Sequence, residues 1–296
     1  MPQTVRPPAS ARRRNWIAAA SVGGIVVTTT ALGAFALGDE APEPARSTGS
    51  AQEAAAAQAK ITLPKVKWKR SWSDEFNGRG KPSKAWTPVL GNGTNGWSHK
   101  ALHYYQAGNS YQDGRGNLVI TAAKTSSSAK LNCWYGRCRY VSGRVQTKGK
   151  FHQTYGRFAV RAKLPTGKGI WPAFWMQREG GAYGEIDVVE TVGSKPRLVQ
   201  GFAHAQRRVG GGGVTLAKPL SAGYHVYGVD WTPHRVVWWV DGRPYAQMKA
   251  YRNWPFNKPF YLILNIQVGG TWPGSPDKTT RFPARMQIDW VRTYRG

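Results

Sequence analysis

The sequence predicts an all-β domain, folded as a sandwich or barrel of short strands. Its 296 residues include 35 glycines and 19 prolines, and 12% of the residues are aromatic. Glycine and proline disfavour helix interiors, whereas aromatic residues are enriched in strands. The 14 tryptophans, 13 tyrosines and 9 phenylalanines also exclude a largely disordered chain. The composition therefore favours one sizeable β-rich domain with an ample hydrophobic core.

Runs in which apolar and polar residues alternate indicate the individual strands. Such alternation places every second side chain on the core face of a sheet. The dipeptide Asp241-Gly242, which follows a Val-Val-Trp-Trp-Val run, predicts a tight hairpin turn. Many short strands separated by glycine and proline turns are typical of a sandwich or barrel. The alternating runs lie at residues 118–122, 157–163, 224–231, 235–240, 260–266 and 286–292.

The first 38 residues are interpreted as an export signal or a membrane anchor. Arginines 12–14 precede an apolar run at 16–37, and small residues near the end of that run fit a cleavage site. The run is also long enough to span a bilayer, so an uncleaved anchor is the alternative. Both interpretations predict a protein that acts outside the cytoplasm. Residues 39–62 are typical of a linker rich in alanine, proline and glutamate, so the folded domain is expected at 63–296.

The chain is strongly basic, with 42 Lys and Arg against 15 Asp and Glu, a formal net charge of +27. Such a charge favours solubility and association with an anionic cell wall or membrane surface. An acidic polymer substrate is the alternative explanation. Nucleic-acid binding is not predicted, because no recognition motif accompanies the charge. We expect the domain to act as a monomer.

The two cysteines are expected to form a disulfide bond. Cys133 and Cys138 lie five positions apart in the segment Cys-Trp-Tyr-Gly-Arg-Cys. Disulfides form and persist in exported proteins, so a small closed loop is predicted here. Two unpaired thiols are the alternative. Metal binding by these cysteines is not supported, since no second Cys or His pair has a suitable spacing.

Three carboxylic acids within six residues form the candidate catalytic cluster. They occupy residues 185–190, which read Glu-Ile-Asp-Val-Val-Glu. In a regular strand Glu185 and Asp187 share one face, while Glu190 points to the other. A one-residue bulge near the two valines would return Glu190 to the face of the other acids. Three carboxyls on one face repel one another, so a purely structural role is hard to justify.

This pattern suits the hydrolysis of a glycosidic bond. A retaining glycosidase needs two carboxyls about 5–5.5 Å apart, one ionised as nucleophile and one protonated as acid/base. A third carboxyl between them can tune their protonation. Two alternatives stay open: an exposed acidic strand without chemistry, and a set of three carboxylates that binds calcium.

Aromatic residues near the acidic segment indicate a sugar-binding surface. Trp171 and Trp175 lie on the predicted strand immediately before it, and His204 lies one predicted strand later. Flat rings can stack on sugar faces, although any one tryptophan could instead belong to the core. A lone histidine is usually structural, so His204 is a candidate for either role.

The acidic segment resembles the E-x-D-x-x-E signature of glycoside hydrolase family 16, in its bulged, laminarinase-like branch. Further segments resemble this family in the same order over residues 68–294, and the ordered set is far more specific than any one piece. These segments lie at 73–76 (Ser-Asp-Glu-Phe), 116–120, 156–158, 171–176 (Trp-Pro-Ala-Phe-Trp-Met), 225–242, 264–274 and 286–292.

The resemblance implies a β-jelly-roll sandwich of the concanavalin A-like kind, with a substrate cleft across its concave sheet. It implies endo-acting, retaining cleavage of a β-linked glycan. Glu185 would be the nucleophile, Glu190 the general acid/base and Asp187 the assisting carboxylate, with no cofactor required for the chemistry. Many relatives carry a structural calcium, to which Glu75 and Asp289 could contribute. The substrate-binding residues expected on this basis are Trp171, Trp175, His204, Asn265, Gln267 and Trp272.

Departures from the family pattern leave the substrate open. Relatives often have Asn-Glu-Leu-Gln-Tyr-Tyr where residues 100–105 read Lys-Ala-Leu-His-Tyr-Tyr. Thr191 and Phe202 stand where an aromatic residue and a threonine are common. We expect a polysaccharide, first a β-1,3- or β-1,3/1,4-glucan, with a β-galactan or acidic glycan of the agar or carrageenan kind as the alternative. A non-catalytic glycan-binding module is the second function class, but binding alone does not need two glutamates flanking an aspartate.

Overall fold

The computed structural model describes residues 61–181, 183–206 and 208–296. These residues form two large β-sheets and a two-stranded ribbon, which confirms the all-β class expected from the sequence. The predicted signal or anchor at 1–38 lies outside the described residues, as does the predicted linker up to residue 60. No helix in the described ranges is long and apolar enough to cross a membrane.

The strands are joined by tight turns and by longer loops. Short helical segments occur at Gly96–Lys100, Ala107–Asn109 and Glu179–Gly181. The strands are β1 Lys69–Asp74, β2 Arg79–Gly80, β3 Thr87–Pro88, β4 His103–Tyr105, β5 Ser110–Asp113, β6 Leu118–Lys124, β7 Asn132–Cys133, β8 Gly136–Arg137, β9 Tyr140–Ser142, β10 Arg144–Gln146, β11 His152–Gln153, β12 Gly156–Lys163, β13 Ile170–Arg178, β14 Glu185–Glu190, β15 Leu198–Ala205, β16 Arg208–Thr215, β17 His225–Trp231, β18 Arg235–Val240, β19 Arg243–Lys249, β20 Phe260–Val268 and β21 Ala284–Arg295.

The two large sheets are named here the outer sheet and the cleft sheet, the second after the substrate cleft that the resemblance implies. The outer sheet has eleven strands, in the order β19-β18-β17-β12-β21-β6-β5-β2, with β1, β4 and β9 attached. The cleft sheet has eight strands, in the order β16-β15-β14-β13-β20-β10-β3, with β11 paired to β20. Apart from the parallel pairing of β4 with β9, the ladders are antiparallel. The acidic segment therefore lies on β14, between β13 and β15.

All six alternating runs identified in the sequence are strands in the structure. Their bounds differ from the predicted ones by a few residues at most, the largest extension being at the end of β21. The predicted hairpin joins β18 to β19. Its two turn residues, Asp241 and Gly242, have φ angles of 49° and 76°. Positive φ at both central positions is what this hairpin turn requires, which explains the Asp-Gly pair.

The hydrophobic core lies between the inner faces of the two sheets. Phe158 and Val160 of the outer sheet and Phe174 and Leu264 of the cleft sheet are fully buried in one cluster. Burial of each such side chain contributes about 1.5–3 kcal/mol. Because side chains alternate along a strand, Trp175, which follows Phe174, projects from the other face of the cleft sheet. That second face carries the acidic residues.

Candidate active site

A β-bulge in β14 brings the three acids to one face of the cleft sheet. In the ladder with β13, Phe174 pairs with Val189 and Trp175 pairs with Asp187, so Val188 has no partner. Both valines are fully buried on the core side. The bulge that the sequence pattern predicted is therefore present. It places Glu190 beside Ala173 in the ladder, two positions from Trp175 and on the same face as Asp187.

Hydrogen bonds and short contacts orient the acidic side chains. Asp187 Oδ2 lies 3.1 Å from His204 Nε2, on the neighbouring strand β15. Trp171 Nε1 donates a hydrogen bond of 3.1 Å to Glu190 Oε2. Asp187 and Glu190 are buried, with 4% and 8% of their surfaces exposed, whereas Glu185 is partly exposed. The cluster is thus largely shielded from bulk water but reachable through Glu185.

Burial and mutual repulsion favour the protonated forms of these carboxyls. Burial, with the Asp187 charge as the second cause, raises the pKa of Glu185 to about 8, although His204 and Arg144 oppose the shift. Burial also raises the pKa of Asp187. The pKa of Glu190 is raised by burial and by the charges of the other two acids. At neutral pH the cluster therefore retains protons, which gives it a general acid near a potential nucleophile.

The predicted aromatic residues form a wall beside the acids. Trp171 packs edge-on against Trp272, with ring centroids 4.7 Å apart, and against His99, at 5.5 Å. Trp272 follows β20 and is 39% exposed, so part of its ring is available to a ligand. Exposed aromatic rings next to polar groups provide stacking surfaces for flat apolar faces such as those of sugars.

Two polar side chains predicted to bind substrate lie on β20, next to the aromatic strand β13. Trp175 Nε1 donates a hydrogen bond of 2.7 Å to Asn265 Oδ1. Gln267 lies directly opposite Trp171 in the ladder between β13 and β20. Together with His204 on β15, all six predicted substrate-binding residues therefore lie on the cleft sheet or on the turn that follows β20.

Sequence reasoning missed Arg144, which the structure places on the same face. Arg144 lies on β10 opposite Asn265, and its guanidinium lies 5.0 Å from the ring centroids of both Trp97 and Trp175. It forms no ion pair with a carboxylate of the described residues. Its charge lowers the pKa of Glu185. The only available signal was its place in a short alternating run, which does not distinguish it in so basic a chain.

The predicted disulfide between Cys133 and Cys138 is present, and it closes the ribbon of β7 and β8. The backbone N–H of Trp134 donates to Asn92 Oδ1 at 2.9 Å, and its indole N–H donates to the Ala101 carbonyl at 2.9 Å. Tyr135 donates its hydroxyl proton to the Leu102 carbonyl at 2.6 Å. The closed ribbon thus supports the segment that carries Trp97 and His99. The sequence predicted the bond but not this contact.

The two residues expected to contribute to a calcium site lie on the outer sheet or at its edge, away from the acid cluster. Glu75 accepts hydrogen bonds of 3.0 and 2.8 Å from Arg292. Asp289 is paired with Arg161. A carboxylate neutralised by a guanidinium is a poor calcium ligand, because a positive charge already occupies its oxygens. Glu75 and Asp289 therefore do not fit a shared calcium ion, and no step below involves one.

Three comparisons relate this arrangement to known proteins. The profile of "Glycosyl hydrolases family 16" matches residues 98–292. The chain is 38% identical over 254 residues to the beta-glucanase of Rhodothermus marinus, covering 77% of this chain and 85% of that protein. It is 35% identical over 261 residues to glucan endo-1,3-beta-glucosidase A1 of Niallia circulans, covering 76% of this chain but only 37% of that protein.

A solved structure extends the similarity to the fold. The catalytic domain of an endo-1,3-beta-glucanase (laminarinase) from Thermotoga petrophila RKU-1 superposes with a TM-score of 0.71 at 39% identity. The match covers 77% of this chain and 98% of that domain. The β-jelly-roll sandwich expected from the sequence is therefore confirmed.

Proposed function

The chain belongs to family 16 of the glycosyl hydrolases, and from this membership we propose that it cleaves β-1,3- or mixed β-1,3/1,4-glucan chains at internal bonds. It is a glycoside hydrolase of the retaining kind, which uses two glutamates. Related proteins that are named as glucanases support the choice of substrate. One observation carries the assignment of residues, namely the bulge in β14 that places Glu185, Asp187 and Glu190 on one face.

The proposed mechanism is a double displacement. In the first step a carboxylate oxygen of Glu185 bonds to the anomeric carbon, while the bond from that carbon to the leaving oxygen breaks and the leaving oxygen takes the proton of Glu190. In the second step Glu190 removes a proton from water, the water oxygen bonds to the anomeric carbon, and the bond to Glu185 breaks. The two inversions leave the configuration at the anomeric carbon unchanged.

The contacts of each acid support these roles. Trp171 donates to one oxygen of Glu190, which leaves the other oxygen of that carboxyl to hold the proton for the leaving group. The charge of Asp187 raises the pKa of Glu185. Burial is the main cause of that raised pKa, and a protonated Asp187, favoured by its own burial, removes the second cause and so lowers the pH at which Glu185 ionises to act as nucleophile. Asp187 is accordingly proposed as the assisting carboxylate.

The aromatic wall supports a sugar polymer as the substrate. Trp171 and Trp272 offer stacking surfaces beside Glu190, and Trp175 is held by Asn265. Gln267 and His204 add hydrogen-bonding groups on either side of β13 and β14. A polymer can then be positioned across the acids by several weak contacts, which is how remote binding free energy aligns the scissile bond.

We propose that the protein acts outside the cytoplasm, either secreted or anchored by residues 16–37. The pattern of residues 1–38 and the disulfide between Cys133 and Cys138 support this location, because disulfides persist in oxidising compartments. The net charge of +27 supports association with an anionic surface there.

A substrate screen with product analysis tests the proposed function. The purified protein is incubated with laminarin, lichenan, agarose, carrageenan and a β-galactan, and product lengths are measured over time. We expect laminarin or lichenan to give oligosaccharides of mixed length early in the reaction, as internal cleavage requires. Cleavage of agarose, carrageenan or galactan alone would contradict the glucan assignment. The Glu185→Gln variant is the control for a contaminating glycosidase.

A further inference from the structure

We propose that Glu185, Asp187 and His204 form a binding site for a divalent transition-metal ion, of which Zn²⁺ is the example tested, and that the bound ion stops hydrolysis. The binding stands on the geometry of the three side chains. The inhibition rests on the function proposed above, since it assigns the nucleophile to Glu185.

The three side chains come from two neighbouring strands in register. Glu185 on β14 pairs directly with His204 on β15, and Asp187 pairs with Phe202. One ligand atom from each of Glu185, Asp187 and His204 lies within 4.8 Å of the other two. Bonds of about 2.0–2.2 Å from zinc to nitrogen and oxygen ligands place such atoms roughly 3–4 Å apart. Small rotations of the side chains would therefore close the site around an ion.

A buried oxygen of Asp187 without a hydrogen-bond partner is a second sign that a cation fits here. Asp187 is 4% exposed, and its Oδ2 atom accepts no hydrogen bond from the described residues. That atom nevertheless lies 3.1 Å from His204 Nε2. A carboxylate oxygen and a ring nitrogen at this separation each present a lone pair unless a proton lies between them. A metal ion can replace that proton and satisfy both atoms.

The ligand set selects the kind of ion. Imidazole nitrogen with two carboxylates suits Zn²⁺ and similar transition metals, which commonly take three protein ligands. Calcium prefers six to eight oxygen ligands, and magnesium retains most of its water. Ca²⁺ and Mg²⁺ should therefore bind this site much more weakly than Zn²⁺. The positive charge of Arg144 acts on Glu185 and opposes a cation there, although Arg144 forms no ion pair with the three ligands and is stacked between two tryptophan rings.

An ion at this place would remove the reactive group from catalysis. A Glu185 oxygen bound to the metal cannot bond to the anomeric carbon of a sugar. His204, expected to contact substrate, would be occupied at the same time. Hydrolysis should therefore fall as Zn²⁺ is added and recover when a chelator removes the ion, without loss of the fold.

Calorimetric titration with ZnCl₂, in a buffer that does not bind zinc, tests the site directly. We expect one ion per chain for the unmodified protein and at least a tenfold weaker affinity for His204→Gln. The matched control is His234→Gln, since His234 is exposed in the turn before β18 and is remote in the sequence from the cluster. Glu185→Gln provides a second test should His204→Gln fail to fold. Equal affinity in the folded His204→Gln or Glu185→Gln variant, or equal binding of CaCl₂, would overturn the site.

A second experiment tests whether bound zinc inhibits hydrolysis, separately from whether zinc binds. The rate of laminarin hydrolysis is followed while Zn²⁺ is raised through the dissociation constant and then chelated. Zinc that binds through His204 but leaves the rate unchanged would overturn the inhibition alone. A protein that binds zinc through His204 but cleaves none of the tested glycans would leave the binding site in place and contradict the proposed function.

Discussion

Three carboxylates on the outer sheet or at its edge, Glu75, Asp230 and Asp289, and the three acids of the cleft sheet have opposite surroundings in the same basic protein. Asp230 and Glu75 are each paired with an arginine, at 2.7 and 2.8 Å. On the cleft sheet, Glu185, Asp187 and Glu190 have no Lys or Arg within ion-pair distance among the described residues, and the nearest basic side chain is His204, whose Nε2 lies 3.1 Å from Asp187 Oδ2. With 42 basic residues in the chain, this lack of pairing is not explained by a shortage of cations.

The contrast shows what each group of acids does for the molecule. A carboxylate paired with a guanidinium has a low pKa and stabilises the fold, as the hydrogen bonds from Arg292 do for Glu75. Unpaired acids that are buried together have raised pKa values and destabilise the fold whenever they ionise. The cleft acids thus reduce stability, which is expected where a site is arranged for chemistry.

The largest expected effect is a loss of activity, which should follow substitution of an acid on the cleft sheet but not of one beside the outer sheet. Glu185→Gln should lower the rate of glucan hydrolysis by at least about 10⁴-fold, because it removes the nucleophile while keeping the shape of the side chain. Initial rates of reducing-end release measure the loss. Glu75→Gln on the outer sheet is the matched control and should keep its rate within about twofold of the unmodified protein. A Glu185→Gln variant with normal activity would end the assignment of the nucleophile.

Glu190→Gln should give a smaller and substrate-dependent loss. General acid assistance contributes about 10²–10⁴-fold with a poor leaving group such as a sugar. An aryl glucoside with an activated leaving group needs little protonation, so its cleavage to the glycosyl-enzyme should be slowed much less. Rates with laminarin and with the aryl substrate are compared for the same preparation. An equal loss on both substrates would argue against Glu190 as the acid/base.

Substitution of a paired acid in the outer sheet should instead lower the free energy of unfolding. Asp230 is fully buried, with Arg157 and the Trp239 indole N–H as its partners. Asp230→Asn leaves the Arg157 charge without its partner, at a cost of about 3 kcal/mol in the free energy of unfolding. Urea denaturation at neutral pH measures this loss in the free energy of unfolding. The cleft variant Glu185→Gln, with the same change of carboxyl to amide, should by contrast be at least as stable as the unmodified protein. A loss of stability in both variants would remove the distinction drawn between the sheets.

The pH dependence of stability should also differ between the acids of the two sheets. The pKa of Glu185 is raised to about 8, so between its unfolded pKa near 4.5 and pH 8 the folded state binds more protons than the unfolded state. The free energy of unfolding should therefore fall as pH rises through this range, and Glu185→Gln should remove part of the slope, about 2 kcal/mol by pH 9. Urea denaturation at pH 5, 7 and 9 gives the comparison.

The contribution of Glu75 to stability should change with pH in the opposite direction. Its pKa is lowered by hydrogen bonds from Arg292, so the stability it contributes is present above its unfolded pKa and is lost as pH falls through the folded value. Because the pair is partly exposed, Glu75→Gln should cost only about 0.5 kcal/mol at pH 7, and progressively less as pH falls through the folded-state pKa of Glu75. Parallel pH slopes for the Glu75 and Glu185 variants would contradict the difference in their surroundings.

Local sequence patterns were sufficient for the all-β class and for the acid cluster, whereas the β-jelly-roll sandwich was expected from the resemblance to family 16. The alternating runs, the Asp-Gly hairpin and the bulge in β14 depend on residues that are close in sequence. The pairing of the remaining acids could not be predicted, because Glu75 and Arg292 are 217 positions apart. Arg144 was missed for the same reason: its position between Trp97 and Trp175 arises only when distant segments meet.

The smallest expected effect concerns calcium, which the resemblance to family 16 suggested for Glu75 and Asp289. Both carboxylates are paired with arginines on the outer sheet, and Arg292 also stacks 4.2 Å from the Trp290 ring centroid. These guanidinium groups already supply the positive charge that a metal would provide. Adding EDTA or about 5 mM CaCl₂, a concentration above the dissociation constants of weak extracellular calcium sites, should therefore shift the melting temperature by less than about 1 °C. A larger rise with calcium in the unmodified protein that is abolished in Asp289→Asn would show that the ion displaces Arg161 and that the outer sheet is metal-stabilised after all.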